Sequence, residues 1–248
     1  MIRVYADPEE VSAAAAALFA SEACRAVARQ GRFAVLLAGG TTPRRCYELL
    51  AQAPLRDRIP WGEVHVFWGD ERCVPGDDPR SNAGMARRAL LHHVPLPPAQ
   101  VHPIVCEPSP QEGAEAYAAV LRAFFADGPP RFDLVLLGLG DEGHTLSLFP
   151  GDSALGVREC WTTVTHRRGE DMDRVTLTAP VINRAAQVAF LVTGEGKAAI
   201  LREVLEGGAD PHQLPARLVR PEDGELLWLV DRKAGSLLRH ESNISLPR

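Results

Sequence analysis

The sequence predicts an α/β fold, a mostly parallel sheet layered between helices, on three observations. Short apolar, strand-like runs alternate with helix-like segments along the chain, the pattern of a parallel sheet with helices on both faces. Several of these runs break off into turns rich in glycine or charge, and folds of this kind hold ligands beyond the carboxyl ends of their strands. The 248 residues, 46% of them hydrophobic, can bury a substantial core, and no composition break divides them. The expectation is one domain over residues 1–248.

The elements follow in order. Asp7-Pro8-Glu9-Glu10 opens a long alanine-rich helix with a cap, a first-position proline and an acid three residues after the cap, and Gly31 stops it. Phe33-Ala34-Val35-Leu36-Leu37-Ala38 reads as a buried strand. Gly39-Gly40-Thr41-Thr42-Pro43 carries it into a helix through Leu50, with Thr42 as the expected cap and Pro43 at the first helical position. Val64-His65-Val66-Phe67-Trp68 is a second strand, ending in Gly69-Asp70-Glu71-Arg72. An amphipathic helix is expected over 111–125, a strand over 132–138, another over 187–192, a helix over 195–205 and a last strand over 226–230. The proline patches at 94–98 and 128–130 are short enough to be loops between elements.

The turns carry the chemistry. Phe132-Asp133-Leu134-Val135-Leu136-Leu137 runs into Gly138-Leu139-Gly140-Asp141-Glu142-Gly143-His144, one histidine beside two carboxylates on a glycine-rich loop. A strand holds that loop rigidly, and glycine lets a ligand approach the backbone closely. At Gly39, Gly40, Thr41 and Thr42 the free N–H groups and the helix dipole suit a phosphate, although this is neither the GxxxxGK[ST] loop nor the GxGxxG fingerprint. The expected ligand is a small phosphorylated molecule. Arg72 offers a planar fork of donors for an oxyanion, with Asp70 or Glu71 to hold it. Ser147 is not in a G-x-S-x-G elbow and reads as a packing or capping residue.

Composition narrows the classes. A formal charge of −5 and the absence of a basic run argue against a nucleic-acid partner. The alanine stretch reads as too short and too flanked by charge for a membrane span or signal peptide, so a cytoplasmic location is expected. Five widely spaced cysteines without a CxxC pair disfavour disulfides and a zinc site. His92-His93 lacks the spacing that puts two ligands on one helix face. Neither a metal nor a cofactor is expected.

Taken together, Gly-Gly-Thr-Thr-Pro at 39–43, Asp-Glu-Arg-x-Val-Pro at 70–75 with Ser81-Asn82 following, and Gly-Leu-Gly-x-x-Gly-His-Thr-x-Ser-Leu-Phe-Pro-Gly at 138–151 resemble the 6-phosphogluconolactonase family of the glucosamine/galactosamine-6-phosphate isomerase superfamily. Arg174-Val175-Thr176-Leu177-Thr178, Pro180-Val181-Ile182-Asn183 and Thr193-Gly194 with Lys197 extend the likeness over nearly the whole chain. It departs where Glu142 replaces the usual aspartate before Gly-His and where Leu146 replaces a small residue.

The resemblance implies a Rossmann-like three-layer α/β/α architecture and metal-free hydrolysis of 6-phospho-D-glucono-1,5-lactone to 6-phosphogluconate, in the oxidative pentose phosphate pathway. His144, with a reference pKa near 6.5, would take a proton from water and return it to the leaving oxygen. Asp141 or Glu142 would orient it, and Arg72 would stabilise developing charge. The resemblance adds Arg174 and Lys197 to the phosphate side. The partner expected is a phosphorylated sugar lactone, met by a monomer or small homo-oligomer. The runner-up is an amino-sugar-phosphate deaminase or isomerase, disfavoured because no acid follows His144 before Asp152. A catalytically silent sugar-phosphate-binding regulator is the reading from another class.

Overall fold

The computed structural model describes residues 1–126, 128–239 and 244–245. Its central sheet has eight strands, all parallel where they pair: β1 (Ile2–Tyr5), β2 (Phe33–Leu37), β3 (Val64–Trp68), β5 (Val101–His102), β6 (Leu134–Gly138), β9 (Gln187–Val192), β10 (Glu225–Asp231) and β11 (Ile244–Ser245). Their spatial order is β11-β1-β10-β9-β6-β2-β3-β5. The inner strands β2, β6 and β9 are buried almost throughout, which is why they read as unbroken apolar runs. The rest of the carboxyl-terminal tail, 240–243 and 246–248, lies outside the described residues.

The expected layering is present. The helices are α1 (Pro8–Gln30), α2 (Thr41–Leu50), α5 (Pro110–Phe124) and α7 (Ala198–Glu206), with single turns α3 (Leu55–Arg58), α4 (Asn82–Ala86) and α6 (Ala179–Ile182). Asp7 caps α1 by accepting the Glu10 N–H at 2.9 Å, and Gly31 closes it in the left-handed conformation. At 23 residues α1 is in fact long and apolar enough to cross a membrane, so the expectation that it is too short fails. Its apolar stripe of Val11, Ala15, Phe19, Ala23 and Ala26 is buried within the core instead.

Two features went beyond the sequence reading. A second, antiparallel sheet of three strands stands beside the first, formed by β4 (Asp70–Arg72), β8 (Asp173–Leu177) and β7 (Thr162–His166), in the order β4-β8-β7. A disulfide joins Cys73 to Cys106, with their Cα atoms 5.3 Å apart. The expectation of no disulfide is thereby corrected: β3 and β5 are neighbours in the sheet, so the segments that follow them meet although 33 residues separate the cysteines.

Buried tyrosines fix the ends of two strands. The Tyr47 hydroxyl, from α2, donates to the Ala38 carbonyl and accepts the Ala38 N–H, both at 2.9 Å. The Tyr117 hydroxyl, from α5, makes the same pair of bonds to Trp68 at 2.9 and 3.0 Å. Each closes the backbone of a strand just where a glycine turn begins.

Candidate active site

At the carboxyl ends of β2, β6 and β9 the turns enclose a cleft of about 350 Å³. Of the residues singled out from sequence, Gly39, Gly40, Thr41, Thr42, Asp70, Arg72, His144, Arg174 and Lys197 line it. Glu71, Asp141 and Glu142 do not.

The 138–151 loop is closed on itself. The Gly140 N–H donates to the His144 carbonyl at 2.8 Å and the Thr145 hydroxyl to the Gly138 carbonyl at 2.9 Å. Gly143 takes a φ of +76°, which an L side chain would resist. The His144 imidazole lies flat against Gly140, so close that a Cβ there would stand 2.1 Å from Cε1. The ring also packs against Phe149, with ring centroids 4.8 Å apart and the planes tilted. Leu146, also lining the cleft, has a φ of +56°, strained for a leucine.

The two acids beside His144 separate. Glu142 Oε1 lies 3.2 Å from His144 Nδ1, within ion-pair distance but off the line of a hydrogen bond. Asp141 turns away and pairs with Lys197, whose ammonium pulls the Asp141 carboxyl below its ordinary range. Burial above all holds the His144 pKa below the usual imidazole value. The Glu142 and Asp70 carboxylates oppose that shift, and the Arg167 and Arg174 guanidiniums reinforce it. His144 is therefore neutral, and able to accept a proton, at neutral pH.

Strand pairing sets Arg72 directly opposite Arg174 on β4 and β8, so both side chains leave the same face. Arg72 donates through Nη1 to the Arg80 carbonyl at 2.6 Å, and Arg174 through Nη2 to Glu170 at 2.6 Å. The Nε of each is buried without a partner. Two arginines with spare donors facing one cleft suit an anion.

Neither acid beside Arg72 holds its guanidinium. Glu71 is buried and accepts the backbone N–H groups of Arg72, Asn82 and Ala83, each at 2.8 Å, together with the Ser81 hydroxyl. It ties β4 to the start of α4, and burial raises its pKa. Asp70 accepts the Ser147 hydroxyl at 2.6 Å, so Ser147, fully buried, is committed to Asp70.

At the start of α2 the residue in the cap position is Gly40, with a φ of +105° and no side-chain cap bond. Thr42 lies within the helix, and its hydroxyl bonds that of Thr193 at 2.8 Å. The cap expected at Thr42 is thus displaced by two residues. The consequence for ligand binding is favourable, because no side chain occupies the first N–H groups of the helix. Across from them Lys197 follows Gly194, whose N–H is held by the buried Asp231 carboxylate at 3.0 and 3.1 Å.

Sequence reasoning quoted Thr193 and Asn82 within motifs without giving either a site role, and passed over the run Arg167–Glu170. The Asn82 amide donates to the Asp70 carbonyl at 2.9 Å under Gly39, and only the Ser-Asn pair in the second motif pointed to it.

Known proteins resemble this chain over most of its length. The family model for glucosamine-6-phosphate isomerases/6-phosphogluconolactonase matches residues 6–228. A 6-phosphogluconolactonase of Synechocystis sp. is 47% identical over 219 residues, 87% of this chain and 88% of that protein. The Homo sapiens 6-phosphogluconolactonase is 40% identical, over 96% and 93% of the two chains. The solved 6-phosphogluconolactonase of Trypanosoma brucei superposes with a TM-score of 0.82 at 31% identity, covering 96% of this chain and 98% of that one.

Proposed function

The chain belongs to the family of glucosamine-6-phosphate isomerases and 6-phosphogluconolactonases, and from that premise we infer that it hydrolyses 6-phospho-D-glucono-1,5-lactone to 6-phosphogluconate, a step of the oxidative pentose phosphate pathway. The observation that carries the reading is His144 sharing one cleft with Arg72 and Arg174 and with the start of α2.

In this reading the lactone phosphate rests on the N–H groups at 40–42 with Lys197, while Arg174, expected on the phosphate side, stands opposite Arg72 on the paired strands and with it meets charge nearer the ring. His144 takes a proton from water as its oxygen bonds to C1. The carbonyl electrons pass to the exocyclic oxygen, whose charge faces Arg72. As the tetrahedral intermediate collapses, the bond from C1 to the ring oxygen breaks and His144 returns the proton to that oxygen. The products are a C5 hydroxyl and a carboxylic acid that ionises. Glu142 steadies the imidazolium between the two transfers.

A deaminase reading finds less support. The first acid after His144 is Asp152, which is already engaged by the Ala154 N–H at 2.7 Å and the Thr165 hydroxyl at 2.5 Å. The inference extends to a cytoplasmic monomer or small homo-oligomer folded as one domain, acting on a free metabolite without nucleic acid or membrane. That compartment keeps thiols reduced, whereas the structure joins Cys73 to Cys106, so activity is compared with the pair reduced and oxidised.

The test is 6-phosphogluconate formation from freshly generated lactone, with spontaneous hydrolysis subtracted, for wild type and His144→Ala. Wild-type turnover above background, falling on the order of 10²-fold or more in the variant, is expected. Wild-type activity no higher than background would overturn the reading.

A further inference from the structure

A chain of charges runs from the catalytic histidine out of the cleft and back into it. Glu142 Oε1 lies 3.2 Å from His144 Nδ1 and 3.3 Å from Arg167 Nε. Arg167 Nη1 lies 3.2 Å from Glu170 Oε1, and Glu170 Oε2 accepts Arg174 Nη2 at 2.6 Å. The circuit is closed by Phe149. Its ring carries the Arg167 and Arg174 guanidiniums at 5.7 and 5.4 Å and packs against His144.

Arg167 and Glu170 lie on the turn between β7 and β8, where the Glu170 N–H donates to the Arg167 carbonyl at 3.0 Å. Nothing in the proton transfers themselves uses them. We propose that Arg167 is a positioning residue for His144: it shares the Glu142 carboxylate with the imidazole and, through Glu170, ties that carboxylate to the same framework that holds Arg174. This rests on the lactonase reading and deepens it.

The reason lies in the length of the Glu142 arm. A glutamate before Gly-His has one more rotatable bond than an aspartate, and an exposed carboxylate on such an arm samples several rotamers. Arg167 supplies a second anchor on the same oxygen. With that anchor, Glu142 stands beside Nδ1 without closing a linear hydrogen bond on it. The ring then stays neutral and Nε2 stays free for water.

The charged groups facing His144 are Asp141 and Glu142 on its own loop, Asp70 on β4, Arg174 on β8 and Arg167 on the turn. With Arg167 removed, a positive charge that opposes imidazolium formation is lost, while the Glu142 carboxylate stays on the loop that carries His144.

The experiment is the pH dependence of kcat/KM for wild type, Arg167→Gln and Arg167→Lys, beside NMR titration of the His144 ring in each. In Arg167→Gln the acid limb is expected to move to higher pH by a few tenths of a unit, the range an exposed ion pair can support. The His144 titration should move with it, and kcat should fall several-fold. Arg167→Lys keeps the charge without the fork and should return the acid limb to the wild-type position. An unmoved acid limb and an unmoved His144 titration in folded Arg167→Gln would overturn the proposal, since loosening the turn alone would lower kcat without moving either. Should Arg167→Gln fail to fold, Glu170→Gln, which releases Arg167 from Glu170, takes its place, and Glu142 and His144 titrating as in wild type would count against the proposal. The NMR readout needs no substrate, so failure of the lactonase reading would show separately, as absent wild-type turnover.

Discussion

Replacing Gly140 with alanine puts a methyl group where the His144 imidazole lies. The added Cβ would stand 2.1 Å from Cε1, 2.2 Å from Nδ1 and 2.6 Å from Nε2, whereas ordinary van der Waals contact begins at 3.4 Å. The ring must therefore retreat by about 1.3 Å. A misplacement of about 1 Å in a reacting group costs on the order of 10²-fold, and the whole contribution of a general acid–base is about 10²- to 10⁴-fold.

We expect kcat for the lactone to fall by about 10²-fold with KM little changed, because neither the start of α2 nor Lys197 is disturbed. Stability should barely move. The φ of Gly140 lies outside the left-handed region, and what yields is the end of a side chain beside an open cleft. Loss of unfolded-state freedom contributes about 0.4–1 kcal/mol in favour of the variant, against weakened packing on Phe149. With a melting shift of about 2–4 °C per kcal/mol at this chain length, Tm should stay within about 4 °C of wild type. Turnover close to wild type in the folded variant would refute the placement of His144 over Gly140. A collapse in Tm with activity per folded molecule retained would show a ring that the backbone cannot displace.

Two further outcomes follow from buried polar contacts. Ser147→Ala removes the donor to the Asp70 carboxylate and should cost about 1.5–3 kcal/mol in urea unfolding, while leaving far more activity than His144→Ala; a loss of turnover equal to that of His144→Ala would instead point to a nucleophilic serine. His65 Nδ1 lies 3.3 Å from His102 Nε2, whose ring stacks on Phe67 at 4.4 Å. Burial, then the neighbouring His65, holds the His102 pKa at about 4, below an unfolded value near 6.5. Between those values the unfolded chain binds more protons than the folded one. This contribution is therefore complete above about pH 6.5 and lost as pH falls towards about 4. Discounted for a half-exposed ring, it is worth on the order of 1 kcal/mol. His102→Gln should flatten the fall in stability between pH 7 and pH 5, and an equally steep fall would count against it.

The strands that carry the turns were legible because parallel strands buried on both faces are continuous apolar runs, as in FAVLL and LVLLG. The glycine turns and His144 were legible because their residue types serve little purpose in a core. The antiparallel sheet was not: TTVTH and DRVTL mix polar and apolar residues over five positions each, and the partner of Arg72 lies about a hundred residues away. The choice between Asp141 and Glu142 turned on which way a two-residue loop faces, which composition does not encode. Gly40 displaced Thr42 as the cap because the threonine hydroxyl found a partner on another segment, Thr193. Cys73 and Cys106 met through strand adjacency, to which cysteine spacing is blind.

The Asp231 carboxylate, at the end of β10, accepts the Gly194 N–H that opens the Lys197 turn and also the Ala234 N–H at 2.7 Å. Among the described residues, every side chain lining the cleft has been synthesised once Lys197 leaves the ribosome. The carboxylate that sets the angle of the Lys197 turn comes more than thirty residues later in the sequence. A nascent chain halted between those points holds all the chemistry and lacks one bearing surface for it. That bearing surface arrives with the last long strand of the sheet, which docks against β1 and β9.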